Sequence, residues 1–349
     1  MRNNTKNDKA IPNRKEILFV DYLKALGLLL IILAHTCDNQ IIMNLRIFDV
    51  PLMVILSGFL AYDSYKRSVA KGESIVSYYK KRVVRLLVPT WIFLTFYFLI
   101  VAIISIHVGF PYNLENIVRS YLLLDGIGYV WIIRIYLICA LITPFAVWII
   151  DKIKRKYFLY IAFVALYVAH EMLAHFGVYG LNVLLEFVLA YAIPYGIVYF
   201  LGLLSNRSKY RHYDFVVSGI FLVVFVVMLG INNINNGGFV SMQSAKYPPT
   251  LYYLSYSLFV GFLLMGVLKG LKLKANVVIG FFSRSSLWIY LWHILVLLVV
   301  GKLHIPFWPV NYILVVVGAS LITCLQNKVV DYLGKKKMGS ERILKVFRG

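Results

Sequence analysis

Apolar runs of about twenty residues, divided by short polar stretches, recur along nearly the whole chain. A run of that length, coiled as a helix, matches the hydrocarbon thickness of a bilayer. The pattern predicts about ten membrane-spanning helices, approximately Ile17–Thr36, Leu45–Tyr62, Leu86–His107, Tyr129–Ile150, Tyr157–His175, Val183–Leu204, Phe215–Ile231, Leu251–Leu268, Val277–Val300 and Val310–Val330. The fifth and sixth runs are the most interrupted, by His170, Glu171 and Glu186.

The polar stretches between the runs are unequal in charge. Alternate ones hold Lys66, Arg67, Lys71, Lys80, Lys81, Arg82 and Arg85; Lys152, Lys154, Arg155 and Lys156; Arg207, Lys209 and Arg211; and Lys269, Lys272 and Lys274. The ends of the chain add Arg14, Lys15, Lys335, Lys336 and Lys337, whereas the opposite stretches hold little beyond Arg119, Lys246 and Lys302. Cytoplasmic loops of membrane proteins carry the excess of Lys and Arg, so these loops and both termini are expected inside. The expected fold is an all-α polytopic membrane protein, a bundle of about ten transmembrane helices with N- and C-termini cytoplasmic. Its parts are a cytoplasmic tail over 1–16, a membrane domain over 17–330 and a basic cytoplasmic tail over 331–349. The expected location is the plasma or inner membrane, crossed many times.

Composition narrows this further. The chain of 349 residues is 61% hydrophobic and 15% charged, with a mean hydropathy of +0.78, where a soluble domain would carry roughly 25% charged residues. The longest stretch outside the runs, Ser64 to Val84, is too short to hold a core of its own. The net charge of +21 would suit nucleic acid, but its distribution in short blocks between apolar runs suits an anionic inner leaflet instead. Membrane lipids are thus expected partners and nucleic acid is not. Cys37, Cys139 and Cys324 have neither metal-ligand spacing nor a disulfide framework, and no metal is expected. The first run is of full length and Leu33-Ala34-His35 is a poor signal-peptidase site, so no cleaved leader is expected.

An ionisable side chain inside a span costs at least ~2.5 kcal/mol, so each one needs a reason. His35 closes the first run, Asp49 opens the second, Arg134 is early in the fourth, His170 and Glu171 are late in the fifth, Glu186 is early in the sixth, and His293 lies past the middle of the ninth. All fall at one depth, in the outer half, which suggests a polar cavity that opens outward. Simpler roles stand beside that reading. His35, His170 and His175 can anchor at the interface, Asp49 can serve backbone groups freed by Pro51, and Arg134 can pair with Glu171 or Glu186. On the other side, Arg82 and Arg85 stand three apart on one helix face. A guanidinium pair suits phosphate, either of a ligand or of lipid headgroups.

Several segments carry a family likeness. Phe19-Val20-Asp21-Tyr22-Leu23-Lys24-Ala25-Leu26-Gly27 leading to Leu33-Ala34-His35, Phe48-Asp49-Val50-Pro51-Leu52 through Leu56-Ser57-Gly58-Phe59-Leu60, and Lys81-Arg82-Val83-Val84-Arg85-Leu86-Leu87-Val88-Pro89 stand in order. Trp131-Ile132-Ile133-Arg134 before Thr143-Pro144, and Ser286-Leu287-Trp288-Ile289-Tyr290-Leu291-Trp292-His293, come after them. Together they resemble acyltransferase family 3, integral-membrane O-acyltransferases, from about Phe19 to about Leu325. Two positions depart from the family's usual residues. Lys24 stands where Arg is common, which keeps the charge but loses the bidentate fork, and Asp49 stands where His is common.

The resemblance implies transfer of an acyl group, usually acetyl, from coenzyme A to an acceptor hydroxyl. No cofactor would be bound; acetyl-CoA is a co-substrate, and an extracytoplasmic carbohydrate or lipid-linked molecule is the acceptor. Lys24, Arg82 and Arg85 would bind the donor, and His35 would act as general base or acyl carrier, with Asp49 and Arg134 as catalytic companions. Ser57, Glu171 and His293 would line the acceptor site, with Asp49 or Glu171 available to orient the imidazole. Lys24 and His35 are eleven residues apart, about 16 Å along a helix, on the order of a pantetheine arm. A transporter or flippase would also have an outward polar cavity, but the two halves carry no matching interrupted spans. A non-catalytic scaffold would leave His35, Asp49 and Arg134 unexplained.

Overall fold

The computed structural model describes residues 18–348 apart from 108, 154, 156, 209, 337 and 339. The expected tail over 1–16, the first residue of the first run, and Lys154, Lys156, Lys209 and Lys337 lie outside the described residues. All the regular structure described is helical: α1 (Leu18–Leu33), α2 (Gln40–Leu45), α3 (Asp49–Ala70), α4 (Ile75–Ile104), α5 (Leu114–Tyr121), α6 (Trp131–Lys152), α7 (Tyr157–His175), α8 (Ala190–Ser208), α9 (Arg211–Asn236), α10 (Leu251–Gly270), α11 (Val277–Arg284), α12 (Ser286–Gly301), α13 (Trp308–Lys335) and α14 (Glu341–Phe347). Among the described residues, eight helices are long and apolar enough to cross a membrane, and a bent pair, α11 with α12, would make nine. The described part of α1 has sixteen residues, shorter than those eight.

Burial separates an inner from an outer set of helices. In the most apolar window, 67% of Leu185–Ser208 and 61% of Gln40–Ala70 is buried, against 11% of Tyr157–His175 and 17% of Arg211–Asn236. The outer helices present Val164 and Val168, Val223 and Val226, and Ile313 and Leu321 on their free faces. Apolar exposure on that scale is stable only against lipid. α3 lies against α8, α1 and α6; α1 also packs on α11; and α9 pairs with α10. Small residues set the closest crossing: a Cβ on Gly58 would stand 2.1 Å from the Tyr199 carbonyl oxygen, and one on Gly202 would stand 2.2 Å from that of Ile55. The α3 and α8 backbones therefore touch directly.

The two ends of the bundle differ in chemistry. At one end Tyr62, Lys66 and Arg207 surround Asp151. Asp214, buried, is bonded to Ser205 and Lys269, and Tyr22 reaches the Lys274 carbonyl. This basic end gathers the Lys- and Arg-rich segments of the sequence. The opposite end gathers His35, Arg46, Asp49, Arg134, His170 and Lys246.

Three features differ from the sequence-based expectation. Ser64 to Val84 is no loop: α3 runs on to Ala70, Gly72 makes the turn with φ of +70°, and α4 begins at Ile75 with Ser74 as N-cap. The run Val277–Val300 is broken at Ser285, where α11 meets α12 at 79°. Hydropathy averages over such a bend because both arms are apolar. The sixth run begins with one π turn, Leu185–Leu189, before α8. At the far end α13 continues to Lys335, and α14 folds back so that Phe347 stacks on Trp288.

Candidate functional site

A cavity of about 410 Å³ penetrates the bundle from the basic end. Its mouth carries Lys24, Ser64, Arg67, Arg82 and Arg85; its walls include Ser57, Ala61, Tyr78, Cys139 and Tyr199; its far end is formed by Ile31, Ile132, Tyr136 and Tyr290. The i, i+3 spacing places both Arg82 and Arg85 on this one wall. The Arg82 guanidinium donates to Ser64 Oγ at 2.7 Å and lies 5.3 Å over the Tyr78 ring. Lys24 Nζ donates to the Ser283 carbonyl at 2.5 Å, so α11 steers this cation at the mouth. Two prolines enrich the walls in acceptors. Pro89 and Pro144 have no N–H, which leaves the carbonyls of Arg85 and Ala140, both cavity residues, without their intrahelical donors.

His35 stands just beyond the blind end, one helical turn after Ile31, where α1 unwinds through the turn 34–36. Its ring centroid lies 4.9 Å from that of Tyr129 and 5.5 Å from that of His293. His35 nevertheless keeps more than a third of its surface open. It is not packed shut. His293 is fully buried: Nδ1 is bonded to the Tyr290 carbonyl, and Nε2 has no partner among the described residues. The Tyr290 hydroxyl donates to the Tyr129 carbonyl. Tyr290 thus belongs to the end wall of the cavity and to the frame around His35.

The other expected site residues fall into two groups. Asp49 is tied to Arg46, whose charge acts on His35, and is committed there: Oδ1 accepts the Val50 N–H at 2.7 Å, and Oδ2 is paired with Arg46. Pro51 falls in the first turn of α3, where its missing N–H costs nothing. Arg134 holds a loop. Its Nη1 donates to the Leu123 carbonyl at 2.7 Å and the Leu124 carbonyl at 2.8 Å, and the guanidinium lies over Phe187 and Tyr191. It makes no ion pair with Glu171 or Glu186 among the described residues. Leu123 has φ of 59°, and Gly126 has φ of 40° where a Cβ would collide with Ser120. This tightly turned segment delivers Tyr129 to His35.

Glu171 accepts the Leu251 N–H at the start of α10, and His170 bridges the Tyr179 hydroxyl at 2.7 Å and the Pro249 carbonyl at 3.0 Å. Among the described residues neither Asp49 nor Glu171 hydrogen-bonds His35. Glu171 and His170 fasten α7 to the segment before α10 and lie away from the imidazole pair.

Three neighbours of His35 did not stand out in the sequence. Arg46 and Lys246 are buried, at 4% and 6% exposure, and both charges act on His35. Lys246 lies 6.0 Å over the Trp131 ring and 5.4 Å over the Tyr247 ring. Burial lowers its ammonium from the ordinary lysine value, and Asp49 works against that shift. Tyr129 is the third. The Arg46–Asp49 pair spans the turn between α2 and α3 and not one helix face, so helical spacing did not mark it. Nothing local marked Lys246, which comes from a loop two hundred residues away in sequence.

A phosphate-suited mouth, a deep cavity and a histidine with free surface call for a comparison with known proteins. A family model described as an acyltransferase domain, that of acyltransferase family 3, matches residues 17–325. The chain belongs to this acyltransferase family. The match covers nearly the whole chain, including every cavity residue and all the neighbours of His35 named above. No curated protein and no solved structure matches the chain. With its long apolar helices, this family member is a multi-pass membrane protein.

Proposed function

We propose that this acyltransferase moves an acyl group, acetyl by preference, from a coenzyme A thioester to a hydroxyl of an extracytoplasmic glycan or lipid-linked acceptor. One observation carries the reading: the cavity runs from Lys24, Arg82 and Arg85 to within one helical turn of His35. The positive-inside rule assigns the basic end to the cytoplasm, where acyl-CoA is made, and both termini with it. The histidine end then faces outward, in the plasma or inner membrane.

Arginine forks recognise the nucleotide phosphates at the mouth, with the Lys24 ammonium as a point charge beside them. The pantetheine arm lies along the cavity, and its thioester arrives near Tyr136, Tyr290 and Ile31. His35 takes the proton of the acceptor hydroxyl as that oxygen bonds to the acyl carbon. The carbon–sulfur bond breaks, and the CoA thiolate takes up a proton. In a two-step version His35 receives the acyl group first and the acceptor then displaces it. In this frame His293, stacked on His35, and Tyr129 hold the imidazole in place, and Ser57 contacts the acyl chain from the wall.

The test uses membranes bearing the full chain and acetyl-CoA labelled in its acetyl group. His35→Ala is expected to abolish incorporation into envelope glycan at unchanged protein level. Full incorporation by that variant would refute the assignment. Mass spectrometry of glycans from cells with and without the protein would show the acceptor as a sugar differing by one acyl group.

A further inference from the structure

The cluster around His35 contains more buried positive charge than buried negative charge. Arg46 and Lys246 each expose less than a tenth of their surface, as does Asp49. Asp49 is satisfied by Arg46 and by the Val50 N–H. Lys246 makes no ion pair and no side-chain hydrogen bond among the described residues. It has the faces of Trp131 and Tyr247, at 6.0 and 5.4 Å to their centroids, and among the described residues the charge of Asp49 reaches it only without an ion pair. Arg46 Nε is also buried without a partner among the described residues. An ammonium with no contacting counter-ion in a low-dielectric interior is costly, and an anionic ligand would supply the missing contact. Cation–π contact lessens the cost by an amount well below that of a counter-charge.

The geometry points to an anion subsite at Lys246 and Arg46: the acceptor is a carbohydrate or polyol that carries a carboxylate or phosphate near the hydroxyl to be acylated. This deepens the acyltransferase reading and rests on it for the word acceptor. Trp131 and Tyr247 then form the apolar floor on which sugar C–H faces stack, with Lys246 above them as the charged contact. His35, beside both cations and open on one side, meets the hydroxyl. A neutral sugar would offer Lys246 hydroxyl acceptors but no counter-charge. The positive charge faces the acceptor from outside the acyl-CoA cavity, whose lining includes neither Arg46 nor Lys246. Donor and acceptor charges are therefore recognised at separate places.

Thermal unfolding of the purified full-length protein in detergent, at matched ionic strength, reads the subsite directly. The probes are methyl α-D-glucuronide, glucose 6-phosphate and neutral methyl α-D-glucoside. The expected result is stabilisation by an anionic sugar at concentrations at least about tenfold below those needed for the glucoside. Whichever anion is more effective identifies carboxylate or phosphate as the natural charge. Lys246→Gln should erase the difference and Lys246→Arg should keep most of it. Equal response to all three sugars in the unaltered protein would overturn the proposal, even if Lys246→Gln does not fold. Retention of the preference in Lys246→Gln would overturn it too. Incorporation of labelled acetyl from acetyl-CoA into envelope glycan by membranes bearing the full chain tests the acyltransferase reading separately. Its absence would end that reading while the anion preference is judged on its own.

Discussion

The crossing of α3 over α8 has no room for a methyl group, and replacing either of its glycines tests how closely the cavity depends on it. In Gly202→Ala the new Cβ would be placed 2.2 Å from the Ile55 carbonyl oxygen, and in Gly58→Ala 2.1 Å from that of Tyr199. Both partners are backbone, so no rotamer change relieves the clash. The helices must part by roughly 1 Å before ordinary contact is restored, and overpacking of this kind costs about 1–3 kcal/mol. Residues next to these glycines, Ser57 on α3 and Tyr199 on α8, line the cavity, so the same displacement reaches the site. A misplacement of ~1 Å can cost as much as about 100-fold in rate.

The assay pairs thermal unfolding in detergent with acetyl incorporation by membranes. Gly202→Ala is expected to melt several degrees lower and to lose about 10- to 100-fold of its incorporation while still reaching the membrane. Gly219→Ala and Gly230→Ala on α9, where a Cβ meets nothing within 4 Å, provide the comparison. Alanine there removes backbone freedom from the unfolded chain and should stabilise by about 0.5–1 kcal/mol. If Gly202→Ala behaves like Gly219→Ala in both measurements, the α3–α8 contact does not set the cavity wall and the reasoning fails.

Three further outcomes are expected. Arg134→Ala should destabilise by about 1–3 kcal/mol by stranding the Leu123 and Leu124 carbonyls, and should speed proteolysis between Arg119 and Tyr129; unchanged digestion there would show that Arg134 does not hold the loop. Asp214→Ala, which leaves the half-buried Lys269 without its buried counter-ion, should cost up to about 3–5 kcal/mol, and the double variant with Lys269→Met should recover most of it. Unfolding in detergent measures both, and additive losses would refute the pairing. Arg82→Lys combined with Arg85→Lys should raise the KM for acetyl-CoA about tenfold or more with a smaller change in kcat, because charge remains but the bidentate forks are lost; an unchanged KM would remove them from donor binding.

Much of this molecule was legible in the chain because membrane physics writes in long, coarse signals. Apolar runs marked the helices from Trp131 to Lys152 and from Tyr157 to His175 almost to the residue, since solvent exclusion acts on every turn of a span. The break at Ser285 was invisible for the same reason: α11 and α12 are both apolar, and bending does not change composition. The i, i+3 rule put Arg82 and Arg85 on one face, where both meet the cavity. Depth in the span grouped His35, Asp49, Arg134 and His293 at one end, but depth is a single coordinate. Which of them touch is fixed by rotation about each helix axis, and short polar interruptions do not encode that. Arg134 and Glu171 thus proved to hold backbone in the segment before α6 and at the start of α10. Tyr129 and Lys246, carried by loops, supply the neighbours of His35.

A lysine at position 24 also makes physical sense in this frame. A guanidinium there would present a planar fork, and a fork needs partners in its own plane. Among the described residues Lys24 Nζ has one hydrogen-bond partner, the carbonyl of Ser283, and the Ser283 hydroxyl in turn donates to Asp21 at 2.5 Å one turn earlier on α1. That arrangement joins α1 to α11 just before the 79° bend, and the compact ammonium keeps donors free to face the cavity. The bend itself brings Arg284 to the end of α11 and opens α12 with Ser286 and Leu287 on the cavity wall. A straight helix from Val277 to Gly301 would carry α11 out of reach of α1, and Lys24 would have no carbonyl to fix it. The broken span and the lysine therefore belong to one device, which holds a compact cation at the mouth while Arg82 and Arg85 supply the rigid forks.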